Sequence, residues 1–149
     1  MPFDYKEIPL DKVVADQYTA SPQEIHDGLV LYRVNEHFTE ALEHFPREKI
    51  VGCFLQGSQN YGLDYEGSDV DTKLIVVPDF RDICLNRKPV STTHVRANDE
   101  HTDWKDVRLY METFRKQNLN FLEILFTPYF VSNHTYWDEW MRLVDAREF

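Results

Sequence analysis

Asp69 and Asp71 stand two residues apart, just ahead of the apolar run Thr72–Val77. If that run is a strand, side chains alternate along it and both carboxylates project from one face. Two such charges repel, and a proton or a cation relieves the repulsion. Carboxylate oxygens are hard ligands, suited to magnesium or manganese bound together with phosphates. A second apolar run, Ile50–Leu55, leads into Gln56, Gly57 and Ser58, and residues 59–68 join Ser58 to Asp69. Gly57 permits close backbone approach, and Ser58 offers a hydroxyl and an N–H to phosphate oxygens. A Gly-Ser turn beside a two-carboxylate metal site is the equipment of metal-assisted nucleotidyl transfer. Asp-x-Asp alone is common in surface turns, so the signal lies in its union with Gly-Ser between two apolar strands. Lys73 shares strand parity with both aspartates, where it neutralises them, touches phosphate or forms a plain ion pair.

The pattern from Gly57 and Ser58 to Ser68-Asp69-Val70-Asp71 resembles the nucleotidyltransferase superfamily typified by DNA polymerase beta. Its signature is hydrophobic-Gly-Ser, a short spacer and Asp-x-Asp. Downstream, Lys105-Asp106-Val107-Arg108, Asn118 and Phe121-Leu122-Glu123-Ile124-Leu125 resemble a bacterial and phage branch of that superfamily with RNA-repair-associated members. The resemblance spans roughly residues 50–130. It implies a small mixed sheet flanked by helices, an α+β (or α/β) fold like the polymerase beta palm. It also implies a third carboxylate from a neighbouring strand. Glu100 is the first choice, with Asp103 and then Asp99 behind it, and Asp103 is also placed to cap a helix starting at Trp104. The expected metal set is Asp69, Asp71 and Glu100 around Mg2+ or Mn2+, with Gly57, Ser58, Lys73 and Arg108 on the nucleotide. The implied reaction passes a nucleoside monophosphate from a nucleoside triphosphate such as ATP to an acceptor hydroxyl, releasing pyrophosphate. The acceptor is an RNA or tRNA end, a protein hydroxyl or a small molecule. The alternative is a non-catalytic nucleotide-binding or antitoxin-like interaction module that keeps the fold.

Other side chains near these motifs have plain structural roles as well. Tyr61 and Tyr65 could stack on a base, but tyrosine in a Gly-rich loop more often packs locally. Arg115 and Lys116 read as a solvated face, and Asn118 and Glu123 as the end of one helix and the cap of the next. Six histidines show no ligand spacing. The pair Trp137 and Trp140 reads as core, or as a face that a partner domain covers.

Several elements must position these groups. Ser21-Pro22-Gln23-Glu24 is a helix start, with Ser21 as cap, running to about Phe45 with Phe38, Ala41, Leu42 and Phe45 on one face. Pro46 ends it. Residues 1–20 read as an arm or a short strand. Ile50–Leu55 and Thr72–Val77 are buried strands, 79–90 is a connection, and Ser91–Arg96 is a third strand. Helices follow over Trp104–Gln117, whose Val107, Tyr110, Met111 and Phe114 repeat at helical spacing, over a short segment from Asn120 to Phe126, and near Trp137–Val144. The predicted order is α-β-β-β-α-α-α.

Composition bounds the rest. The chain of 149 residues is 42% hydrophobic and 14% aromatic, enough for a core and for one domain. That domain covers 1–149 with its catalytic core at about 22–130, either a minimal form or the catalytic part of a longer protein that needs a partner domain or a homodimer. Sixteen Lys and Arg against 26 Asp and Glu leave a net charge of −10, which argues against a broad nucleic-acid clamp but not against one small phosphate ligand. Cys53 and Cys84 lack metal-ligand spacing, and Cys53 reads as a small core hydrophobe. The expected setting is the cytoplasm, with no membrane contact.

Overall fold

The two apolar runs pair with each other. The computed structural model of the chain describes residues 3–4, 21–57 and 69–145. Its strands are β1 (Phe3–Asp4), β2 (Ile50–Gln56), β3 (Asp71–Val76), β4 (Ser91–Val95), β5 (His101–Asp106) and β6 (Tyr129–Ser132), in the sheet order β1-β6-β2-β3-β5-β4. β3 runs parallel to β5, and β1 to β6, while β2 is antiparallel to both its neighbours and β4 to β5. The class is therefore α+β with a mixed sheet. Residues 50–55 are buried throughout. An unbroken apolar run of this kind belongs to a strand covered on both faces.

Two cores provide that cover. On one face lies α1 (Pro22–Ala41), whose Val30, Leu31, Val34 and Phe38 pack with Cys53, Leu55, Leu74 and Val131. On the other, Tyr110 and Phe114 of α3 (Val107–Arg115), Ile124, Leu125 and Trp140 of α5 (Trp137–Asp145) pack on Phe54, Ile75 and Phe130. The Trp140 ring stacks on Phe54 at 4.2 Å, so Trp140 is core. Cys53 is a free thiol in the first core, where burial pushes its pKa up to about 12.

Ser21 caps α1 by accepting the Glu24 N–H at 3.1 Å, as its spacing predicts. The regular helix stops at Ala41, four residues before Phe45, and 42–45 continue as a turn in which Phe45 N bonds Ala41 O. Pro46 disfavours a helical Phe45 and loosens that last turn. A short helix, α2 (Phe80–Cys84), forms in the connection after β3.

Three expectations are corrected. Trp104-Lys105-Asp106 is the end of β5, not the start of a helix; α3 begins at Val107, with Asp106 accepting the Arg108 N–H at 2.8 Å as the cap. The capping role considered for Asp103 thus belongs to Asp106. Tyr129–Ser132, like β5, is a strand that the predicted order lacked, and it is hydrogen-bonded between β1 and β2. The short helix expected from Asn120 starts one residue earlier: Asn118 caps α4 (Leu119–Leu122) by accepting the Asn120 N–H at 3.1 Å, and a 3-10 turn, Glu123–Leu125, follows. Phe3–Asp4 fits the short-strand reading of the N-terminal segment, whose residues 5–20 lie outside the described residues.

Candidate functional site

Parity within the sheet sorts the charged residues onto two sides. Asp71, Lys73 and Ile75 alternate with Thr72 and Leu74 along β3, and Ile75 belongs to the core under α3. Lys73 pairs with Asp103 across the parallel β3–β5 ladder. Asp71, Lys73, Asp103 and Lys105 therefore share the α3 side. Asp71 Oδ1 accepts the His101 N–H at 2.9 Å. Asp69, exposed, lies just before the strand.

Lys73 is the buried member of this group, at 2% exposure. Its ammonium donates to Gln56 Oε1, lies 3.8 Å from Asp103 Oδ2 and sits 5.1 Å above the Phe121 ring. Burial lowers its proton affinity, and the charges of Asp103 and Glu123 partly restore it. Asp103 Oδ1 also accepts from Thr93 Oγ1 at 2.8 Å. Lys105 reaches the same Phe121 ring, at 4.5 Å. At the end of β2, Gly57 turns with φ 109° and donates its N–H to Glu123 Oε1 at 3.2 Å. A positive φ of this size is natural only to glycine. Ser58, Tyr61, Tyr65 and Ser68 lie outside the described residues.

Glu100 is elsewhere, which corrects its assignment to the metal set. It shares parity with Thr102, on the α1 side of the sheet, and is 1% exposed. Oε2 accepts from Arg33 and, at 2.7 Å, from Val70 N. Oε1 accepts from Asn98 Nδ2 at 2.8 Å, Arg96 at 3.2 Å and His37 Nε2 at 3.2 Å. Burial alone would raise its pKa, yet these donors hold it below the usual carboxylate range. With both oxygens taken on the opposite face, Glu100 cannot bridge an ion with Asp71. Asp99 occupies the β4–β5 turn with φ 63°. Asp103 is the carboxylate of the three that faces the Asp71 side.

Arg108, expected on the nucleotide, is engaged with its own strand end. It forms a forked pair with Asp106, Nε to Oδ1 at 3.0 Å and NH2 to Oδ2 at 2.7 Å, and NH1 reaches the Arg87 carbonyl at 3.4 Å. Asp106 pairs with Val76 at the far end of the ladder from Asp71. Five residues of strand separate those ends by roughly 16 Å, beyond an arginine's reach.

Gln56, Lys105 and Glu123 join the site without having been singled out for it from the sequence as metal or nucleotide groups. The signal for Lys105 was the alternation Asp103-Trp104-Lys105 at period two, a strand pattern hidden beside a stronger helical one. Asp71 and Asp103, on adjoining strands, carry hard oxygen donors of the kind that a divalent cation prefers. Among the described residues, no three His, Cys, Asp or Glu side chains converge as a ready-made ion cage. Nor is any helix among them long and apolar enough to cross a membrane. No family model, curated protein or solved structure compared with the chain matches it.

Proposed function

We propose that the protein is a metal-dependent nucleotidyltransferase that moves a nucleoside monophosphate from a nucleoside triphosphate to an acceptor hydroxyl. The observation that carries this reading is the meeting of Asp71, Asp103 and Lys73 on one side of adjoining parallel strands, at the end where β2 delivers Gly57. Asp71 and Asp103, with Asp69 close by in the chain, are the carboxylates that would hold Mg2+ or Mn2+, and the ion would neutralise charge on the triphosphate and acidify the acceptor hydroxyl. The Gly57 bend gives close access to phosphate, and Lys73 lies within the same cluster as a resident positive charge. The acceptor oxygen bonds to the α-phosphorus, the bond to the bridging oxygen breaks, and pyrophosphate leaves with that electron pair. The hydroxyl proton passes to a carboxylate of the cluster or to water. The protein's share is positioning and fixed charge.

One contact favours a second reading. The Lys73 ammonium already lies near Asp103, as an internal cation would in a nucleotide-binding module without catalysis. Incubating the protein with each of the four ribonucleoside triphosphates, Mg2+ or Mn2+, and total RNA and protein as acceptors separates the two. Pyrophosphate release that Asp71→Asn and Asp103→Asn abolish, with melting unchanged, supports transfer. Binding without release in the parent supports the module. No binding of any triphosphate rejects both.

A further inference from the structure

Glu123 opens the 3-10 turn after α4, yet its carboxylate reaches the end of β2, where Oε1 accepts the Gly57 N–H at 3.2 Å. Gly57 follows the last residue of β2, in a backbone conformation set at φ 109°. A bend of this kind needs an external partner to stay in one geometry, because glycine has the widest backbone freedom. The same carboxylate acts on Lys73 of β3, whose charge it favours alongside that of Asp103. Two residues earlier, the Phe121 ring lies beneath both Lys73 and Lys105. Segment 118–125 thus reaches the strands that frame the candidate site, with the Glu123 carboxylate on Gly57 and the Phe121 ring under the two lysines.

We propose that Glu123 is a positioning residue: it pins the Gly57 bend, so that the end of β2 beside Asp71 is presented in one geometry to a nucleoside triphosphate. This inference rests on the nucleotidyl-transfer reading for its ligand, but not for its geometry. Carboxylate-to-amide bonds are stronger than neutral ones, so the loss of this one is measurable. Glu123→Gln keeps an acceptor oxygen and removes the charge; Glu123→Ala removes both.

The test uses the full chain and two readouts. Amide exchange at Gly57, followed by NMR, is expected to rise roughly tenfold in Glu123→Ala and to stay near the parent's in Glu123→Gln. Affinity for a fluorescent ATP analogue with Mg2+ is expected to fall about tenfold in Glu123→Ala, with most of it restored in Glu123→Gln. Equal Gly57 exchange in the parent and Glu123→Ala overturns the inference, whatever the nucleotide result. A loosened Gly57 with undiminished nucleotide affinity overturns the positioning role. If the parent binds no triphosphate, the nucleotide reading falls, and Gly57 exchange still decides whether Glu123 holds the bend.

Discussion

Glu100 and Asp103 are three residues apart on one stretch of chain, and they face opposite sides of the sheet. That single difference of parity separates a buried structural anion from a half-exposed candidate ligand. Glu100 gathers Arg33, Arg96, His37 and Asn98 and also holds the backbone N–H of Val70, between Asp69 and Asp71. Removing its charge leaves arginines facing a neutral group in a buried setting. Glu100→Gln is therefore expected to lower the unfolding free energy by about 3 kcal/mol, read from urea denaturation. A cost under roughly 0.5 kcal/mol would mean that the cluster is solvated and the burial argument is wrong.

At the scale of elements, local signals were enough wherever the chain's own pattern was strong. Ser21, the helical face of α1 and the apolar runs of β2 and β3 were legible, since capping and burial leave period and residue type as evidence. β5 was not legible, because His101-Thr102-Asp103-Trp104-Lys105-Asp106 is polar, and its strand state comes from β3 on one side and β4 on the other. β6 is short and flanked by Pro128 and Asn133, and pairing with β1 and β2 decides it. Gly52 shows how tightly that pairing is built. A Cβ there would lie 2.7 Å from Phe54 Cζ and 2.8 Å from the Val131 carbonyl oxygen. The ring can turn, but the carbonyl belongs to the β2–β6 ladder. Gly52→Ala is expected to cost about 2–3 kcal/mol, as overpacking against backbone does. Unchanged thermal stability of that variant would show that the two strands sit further apart.

Across the whole molecule, the buried network links α1 to the sheet and makes stability depend on pH. His37 Nε2–H donates to Glu100, while Nδ1 lies 2.8 Å from Thr72 Oγ1 and 2.9 Å from Thr102 Oγ1. Burial holds the His37 pKa below 6.5, against the pull of Glu100. The unfolded chain then binds a proton that the folded one refuses, so stability is full above about pH 6.5 and declines as pH falls below it. Glu100, held below its usual 4.5, adds a second loss beneath about pH 4.5. The urea midpoint is expected to drop between about pH 7.5 and 5.5, and His37→Gln is expected to flatten that slope. An equal slope in parent and variant would assign the dependence to other groups.

By itself the sequence determined the class of elements on either side of the Gly57–Asp71 segment, their burial, and the acid-rich strand mouth. Those follow from residue type and periodicity, which act over one turn or one strand. Only the tertiary structure decided which carboxylate joins Asp71, where Arg108 spends its charge, and that Glu123 meets Gly57. Those depend on register between strands far apart in the chain. A shift of one residue there exchanges the two faces, and no local pattern records it.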